Sequence, residues 1–334
     1  MIDWSGADSH VLLNPRMPAD ERAALERAVP PLRAHVFVAT SGTTGALKLV
    51  ALSKEAILAS AAAVNGRLEA RRGDVWCCVL PIFHVGGLGI HARAHLTGSP
   101  VISMNWDARA FAATEATLAS LVPAQVHDLV RAGLRPPPAL RQVLVGGGVF
   151  DRELQDQVRE LGWPVLASFG MSECASTIAV EEVLLPHLEA RSEGGRLAFR
   201  GASLFSGYAF ADGTFVDPKR DGWFVSEDLG SVDGRTLRVQ GRAGELVKIG
   251  GESVDLARLD RILREVAGDD AAIVAVPDAR LGHVIHLATI AEADAIVDAF
   301  NARVLPFERI RAVHRVKSIP RSALGKLLRN RVLP

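Results

Sequence analysis

Short apolar runs recur along the first half of this chain, and each ends in a loop of small or polar residues that leads into a helix-like pattern. Residues 75–80 close on Pro81, residues 141–145 run into Gly146-Gly147-Gly148, and residues 164–168 end at Phe169-Gly170-Met171-Ser172-Glu173. Hydrophobicity that is continuous rather than alternating marks strands buried on both faces. Repeated strand, loop and helix then predict an α/β core with a mainly parallel sheet flanked by helices. Ligands of such sheets lie beyond the carboxyl ends of the strands, where these loops fall.

A further strand-like run, residues 35–39, opens onto Thr40-Ser41-Gly42-Thr43-Thr44-Gly45-Ala46-Leu47-Lys48, with a helix-like stretch expected after it. Two glycines, four hydroxyls and a lysine make this a phosphate-handling loop in outline, because glycine lets backbone N–H groups turn toward an anion. It is not a Walker A loop, since Leu47 stands where that pattern requires glycine. Elsewhere Ser53 caps a predicted helix through Leu68, Asp151 caps one bearing Leu154 and Val158, and a helix carrying Arg93 follows His84. A helix is also expected over residues 111–119. From Gly195 the pattern shifts to short strands, 196–200, 222–225 and 236–240, which read as a small antiparallel β subdomain. Gly241-Arg242-Ala243-Gly244 then divides a core domain, 1–240, from a small α+β C-terminal domain, 241–334.

The 38 basic residues balance 38 acidic ones, so no net field draws the chain to nucleic acid or an anionic membrane. Small-molecule partners are expected. Three cysteines, Cys77, Cys78 and Cys174, have neither metal-ligand nor disulfide spacing, which fits a reducing cytoplasm. Neither a signal peptide nor a membrane span is legible.

Taken in order, the motifs resemble the adenylate-forming superfamily of acyl-CoA synthetases. The matching stretches are residues 40–48, Pro81-Ile82-Phe83-His84, residues 169–173, Gly222-Trp223-Phe224 with Asp228, Gly241-Arg242 followed by Gly250-Gly251-Glu252, and Lys326 near the end. Within it the chain is most similar to o-succinylbenzoate-CoA ligases of menaquinone biosynthesis, on residues 80–87, 120–125, 143–148 and 174–177. Alone, Asp228 would be a turn residue, Glu173 a helix N-terminal carboxylate, His84 a core histidine and Lys326 a solvated charge. The ordered set reverses those readings.

The resemblance implies a ligase using ATP, Mg²⁺ and CoA, which joins a carboxylic acid to CoA through an acyl-adenylate. Lys326 would be the mobile cation of adenylation, and Glu173 would hold Mg²⁺. Ser172 would meet the α-phosphate, and Thr40, Ser41, Gly42, Thr43, Thr44, Gly45 and Lys48 would order the pyrophosphate. Gly147, Gly148, Phe169, Gly170 and Met171 would flank the adenine and its phosphate, Asp228 the ribose, and Arg242 ribose or phosphate. His84 would stand where acyl group and thiol meet, with Arg93, Ser176 and Thr177 around the acid, and Lys248, Gly250 and Gly251 beside CoA. The C-terminal domain would turn about 241–244 between the two half-reactions. The alternatives are another aryl- or acyl-CoA ligase, an enzyme loading a carrier protein, and a degenerate nucleotide-binding regulatory protein; intact Glu173, Asp228, Arg242 and Lys326 argue against the last.

The chain departs from the family pattern at Leu47 and Leu49 in the phosphate loop, at Phe169 where tyrosine is common, at Glu227 before Asp228, and at Gly244 in the hinge. Relatives also carry a much longer segment ahead of the phosphate loop. Either a second subunit covers the face this leaves, with a homodimer preferred, or the acid pocket is shallower.

Overall fold

The computed structural model describes residues 2–41, 47–242, 246–320, 327 and 329–333. Its largest element is an eleven-stranded sheet. Five parallel strands form one half, in the order Val101–Ser103, Trp76–Cys78, Leu118–Leu121, Gln142–Val145 and Val165–Met171. Successive side chains on a strand point to opposite faces. Cys77, Ala119, Val143 and Val145 accordingly pack on one face with Val126, Leu129, Leu154 and Val158, while Trp76, Cys78, Leu118 and Leu144 pack on the other with Val64, Leu68, Ile90 and Ala94. Both faces are covered by helices, which is why the runs read as continuous.

The helix expected over residues 111–119 is not there. A short helix, Ala108–Ala112, precedes the strand Leu118–Leu121, and the helix Pro123–Arg131 follows. Residues 118–121 are wholly buried between two neighbours in the sheet, so long-range pairing overrides their neutral local pattern.

The antiparallel strands expected after Gly195 are present, and they continue the same sheet. Val165–Met171 pairs parallel with Gln142–Val145 on one side and antiparallel with Ser176–Val180 on the other. Val183–Leu184, Thr236–Arg242, Phe224–Asp233, Arg196–Gly201 and Leu188–Glu193 complete the order. At the change of direction, between Phe169 and Gly170, the register shifts. A Cβ at Gly170 would sit 1.8 Å from the Ser176 carbonyl oxygen, so the strands can approach there only with glycine.

A second sheet holds His10–Leu12, His35–Ser41, Leu47–Ser53, Gly207–Phe210 and Phe215–Val216. Here too the expectation is corrected: the phosphate loop lies between two antiparallel strands, with Thr40 opposite Lys48, and not between strand and helix. Leu49, Val50, Ala51 and Leu52 are all buried, a strand covered on both faces. The helix begins only at Lys54 and runs to Leu68, with Ser53 Oγ accepting from Ala56 N at 3.0 Å.

Residues 246–333 build their own core from Ile249, Leu259, Leu263, Ile273, Ile285, Leu287 and Phe300. It contains the hairpin Leu246–Ile249 with Glu252–Asp255, the helix Leu256–Ala267, and a sheet of Ala271–Asp278, Gly282–Thr289 and Ile310–Arg315. Asp255 caps the helix by accepting from Ala257 N. No helix among the described residues is long and apolar enough to cross a membrane.

Candidate active site

The carboxyl ends of the parallel strands are tied together by short polar contacts. Gly146 N donates to the Leu121 carbonyl at 3.1 Å, and Ser168 Oγ to the Val145 carbonyl at 3.1 Å. Gln125 Oε1 accepts from Val122 N at 3.0 Å, and its amide reaches the Val79 carbonyl at 3.4 Å. The loops after Trp76–Cys78, Leu118–Leu121 and Gln142–Val145 therefore form one floor, with Gly147 and Gly148 upon it.

His84 precedes the helix Val85–Thr97, which carries Arg93 inward beneath that floor. Arg93 is 2% exposed. Its Nη1 donates to Ser120 Oγ at 3.1 Å, and its Nη2 to Thr177 Oγ1 at 3.2 Å and Ser176 Oγ at 3.5 Å. Nε meets no hydrogen-bond acceptor among the described residues. Desolvation lowers the guanidinium to about 10, and no described carboxylate offsets it. The Trp76 ring lies 5.6 Å from the guanidinium carbon, and the side-chain acceptors around it are all neutral hydroxyls, an arrangement able to accept an anion.

Ser172, Glu173 and Cys174 form a single 3₁₀ turn directly after Val165–Met171. Tyr208, on the second sheet, donates its hydroxyl to Glu173 Oε1 at 2.8 Å. Lys48 Nζ lies 3.3 Å from the centre of the same ring. Tyr208, the chain's single tyrosine, thus joins the end of the phosphate-loop hairpin to the 172–174 turn. Asp228 is buried on Phe224–Asp233 and its N–H donates to Ser226 Oγ at 3.1 Å. Cys174 is enclosed nearby, and burial with the charges of Glu173 and Asp228 pushes its thiol well up, which makes it inert. Phe169 packs its ring 6.3 Å from that of Phe199.

The C-terminal hairpin turn arrives from the opposite side. Gly250 and Gly251 both have positive φ, +60° and +93°, as a two-residue turn of this hand requires. A Cβ on Gly251 would fall 2.8 Å from Val122 Cγ1, and one on Gly147 would fall 3.6 Å from the Gly251 carbonyl. Glu252 Oε1 lies 2.7 Å from His84 Nε2. Lys248 Nζ reaches the Gly251 carbonyl at 3.5 Å.

The structure thus gathers His84, Gly147, Gly250 and Gly251 at one point, Arg93, Ser176 and Thr177 at a second, and Lys48 with Glu173 at a third. Gly42, Thr43, Thr44, Gly45 and Lys326, with the side chains of Ser41 and Arg242, lie outside the described residues. Sequence reading missed Tyr208, whose uniqueness in the chain was the available signal. It also did not foresee the meeting of Glu252 with His84, although the motif containing Glu252 was legible. Among the described residues no group of three or more His, Cys, Asp or Glu side chains could hold a metal. A lone carboxylate with one oxygen held by Tyr208 suits a Mg²⁺ that arrives with phosphates and retains water, rather than a resident ion.

Residues 14–200 match the family of AMP-binding enzymes. A probable 2-succinylbenzoate–CoA ligase of Mycobacterium tuberculosis is 32% identical over 320 residues, covering 87% of this chain and 82% of that protein. The 2-succinylbenzoate–CoA ligase of Salmonella typhimurium is 32% identical over 271 residues, and the chain spans 59% of its length. Among solved structures, a double mutant of o-succinylbenzoate CoA synthetase from Bacillus subtilis, bound with its product analogue, superposes with a TM-score of 0.80 at 26% identity, over 89% of this chain and 69% of that one. With the motif order, the two-sheet core and the matched family model in agreement, the chain belongs to the AMP-binding enzymes.

Proposed function

We propose that the chain is an ATP-dependent acid–thiol ligase that converts 2-succinylbenzoate, ATP and CoA to 2-succinylbenzoyl-CoA, AMP and diphosphate. The observation that carries the choice of acid is Arg93. An acid with two carboxylates can present one for activation and place the other on the buried guanidinium, with Ser120, Ser176 and Thr177 completing the receptor.

In the first half-reaction a carboxylate oxygen attacks the α-phosphorus of ATP, the bond to the β-phosphate oxygen breaks, and diphosphate leaves. The thiol sulfur of CoA then attacks the acyl carbon, its proton is lost, and AMP departs. Charge builds on phosphate oxygens, so the chain's part is placement of donors and cations. In this reading Glu173 would hold Mg²⁺, which would supply positive charge to the triphosphate, and Ser172 meets the α-phosphate. Lys48 and residues 40–45 order diphosphate, Asp228 and Arg242 take the ribose side, and Phe169, Gly147 and Gly148 frame adenine beside Gly170 and Met171. Lys326 serves adenylation, and residues 241–334 turn about 241–244 afterwards, bringing Lys248, Gly250 and Gly251 to CoA. The contact of Glu252 with His84 and of Gly251 with Val122 supports the second, thiol-accepting arrangement. A cytoplasmic location and a homodimer belong to the same reading. Three buried, unbridged cysteines support the first, and light scattering on the purified chain decides the second.

The deciding experiment follows diphosphate release from ATP and Mg²⁺ with a panel of carboxylic acids, with and without CoA. Release specific to 2-succinylbenzoate, with acyl-CoA appearing only when CoA is present, is the expected result. Release with monocarboxylic acids alone would discard the Arg93 argument.

Tyr208→Phe keeps the ring under Lys48 but removes the donor to Glu173. Adenylation should fall about tenfold, the scale of one hydrogen bond to a charged group, with the Mg²⁺ requirement raised and the KM for the acid unchanged. Titration of initial rates with Mg²⁺ checks this; an unchanged Mg²⁺ curve would remove Tyr208 from the site.

A further inference from the structure

The turn between Ala271–Asp278 and Gly282–Thr289 is built to present one side chain. Asp278 Oδ1 accepts from Arg280 N at 3.0 Å and from Leu281 N at 2.7 Å, which holds Arg280 outward. The guanidinium meets Asp128 with two bonds, Nε to Oδ1 at 2.7 Å and Nη2 to Oδ2 at 2.8 Å. Trp106 Nε1 donates to Oδ2 at 2.9 Å, fixing the carboxylate from the core side.

Both ends of this contact are wired to the candidate active site. On the C-terminal side, Gly250 N donates to the Leu281 carbonyl at 2.8 Å, so the turn carrying Arg280 is bonded to the turn carrying Gly251. On the core side, Asp128 lies on the helix Pro123–Arg131, whose N-cap is Val122, the residue on which Gly251 rests. The two contacts fall six positions apart, about 9 Å along the helix axis. Two separated contacts between the same pair of bodies fix an orientation as well as a distance. Among the described residues, this is the ion pair joining 2–242 to 246–333, and the contact of His84 with Glu252 is the other meeting of a basic and an acidic side chain across them.

The side chain of Asp128 is 14% exposed and that of Arg280 41%. Burial by itself would raise the Asp128 carboxyl, but the bonds from Arg280 and Trp106 outweigh it and hold it below the usual carboxylate range. The bond to Asp128 raises the Arg280 guanidinium in turn. The pair therefore stays charged throughout the neutral range.

We propose that Asp128 and Arg280 are a positioning pair for thiol transfer, holding the C-terminal residues so that Gly251 and Glu252 stand at Val122 and His84, and that acyl-adenylate formation does not need them. The inference rests on the ligase reading above, and its readout separates the two. Neither residue touches substrate; each acts through the placement of the Gly250-Gly251-Glu252 turn.

The test uses the full chain and measures the half-reactions apart: acid-dependent ATP–diphosphate exchange for the first, and acyl-CoA appearance on adding CoA to preformed acyl-adenylate for the second. Arg280→Ala should slow acyl-CoA appearance about tenfold, the low end for a partly exposed bidentate pair, and leave exchange within about twofold. Arg280→Lys keeps the charge but loses the planar fork and should fall between. Asp128→Asn repeats the Arg280→Ala result from the core side with little change of shape. Added salt should slow transfer in the unaltered chain more than in Arg280→Ala, because only the former has the pair to screen. Equal loss in both half-reactions, or no loss in either, overturns the proposal. Absence of exchange with every acid in the unaltered chain overturns it together with the ligase reading.

Discussion

Arg93→Met is expected to lower kcat/KM for 2-succinylbenzoate by about 10² to 10³, the effect of removing one partner of a buried charge pair. The fold should be no less stable for the change. Desolvation brings the guanidinium down from its ordinary value to about 10, so the enclosed site disfavours the charged form by roughly 3 kcal/mol. Because the folded-state value is depressed, this penalty is fully present at neutral pH and fades only as pH rises above about 10 toward the ordinary arginine value. Methionine removes it and fills similar volume. Ser120, Ser176 and Thr177 lose a donor, but hydroxyls can turn to other acceptors. A substrate carboxylate offsets the same penalty in the unaltered chain, so 2-succinylbenzoate should raise its melting temperature and leave that of the variant unmoved. Melting curves with and without the acid, beside initial rates, check both halves. A variant that melts well below the parent with its acid KM unchanged would make Arg93 a structural residue.

Gly170→Ala should be among the most damaging single-methyl additions in the chain. The new Cβ would lie 1.8 Å from the Ser176 carbonyl oxygen and 2.6 Å from its carbon, and both are backbone, so no side chain can yield. Val165–Met171 and Ser176–Val180 must separate where the sheet changes from parallel to antiparallel pairing. Loss of those contacts places the change in the exceptional class, above about 4 kcal/mol. Its consequence reaches the active site, because Ser172 and Glu173 leave the same strand and Ser176 and Thr177 begin the next. Denaturant unfolding followed by tryptophan fluorescence checks it, with Gly241→Ala as a contrast, since a Cβ there meets nothing within 4 Å. Similar midpoints for the two variants would refute the close-approach argument.

Sequence alone settled whatever depends on residues a few positions apart. Ser53 and Asp151 cap helices where expected, because each cap is a bond to an amide within three residues. The helix bearing Arg93 and the Gly250-Gly251 turn follow from equally local preferences, and the order of motifs was enough to point to the family. Tertiary structure decided what local pattern leaves degenerate. Residues 47–53 and 118–121 are strands because strands on both sides, among them Gly207–Phe210 and Gln142–Val145, pair with them, not because their own sequence forbids a helix. An arginine on an apolar helix is by count more often exposed. Only the packing of Val85–Thr97 against Leu118–Leu121 and Ser176–Val180 encloses Arg93 and turns a surface charge into a buried one. Tyr208 under Lys48, Glu252 at His84 and Arg280 on Asp128 join residues well over a hundred positions apart, and no local periodicity encodes such meetings. They exist because the burial of two separate apolar cores sets the distances between surfaces that carry the charges.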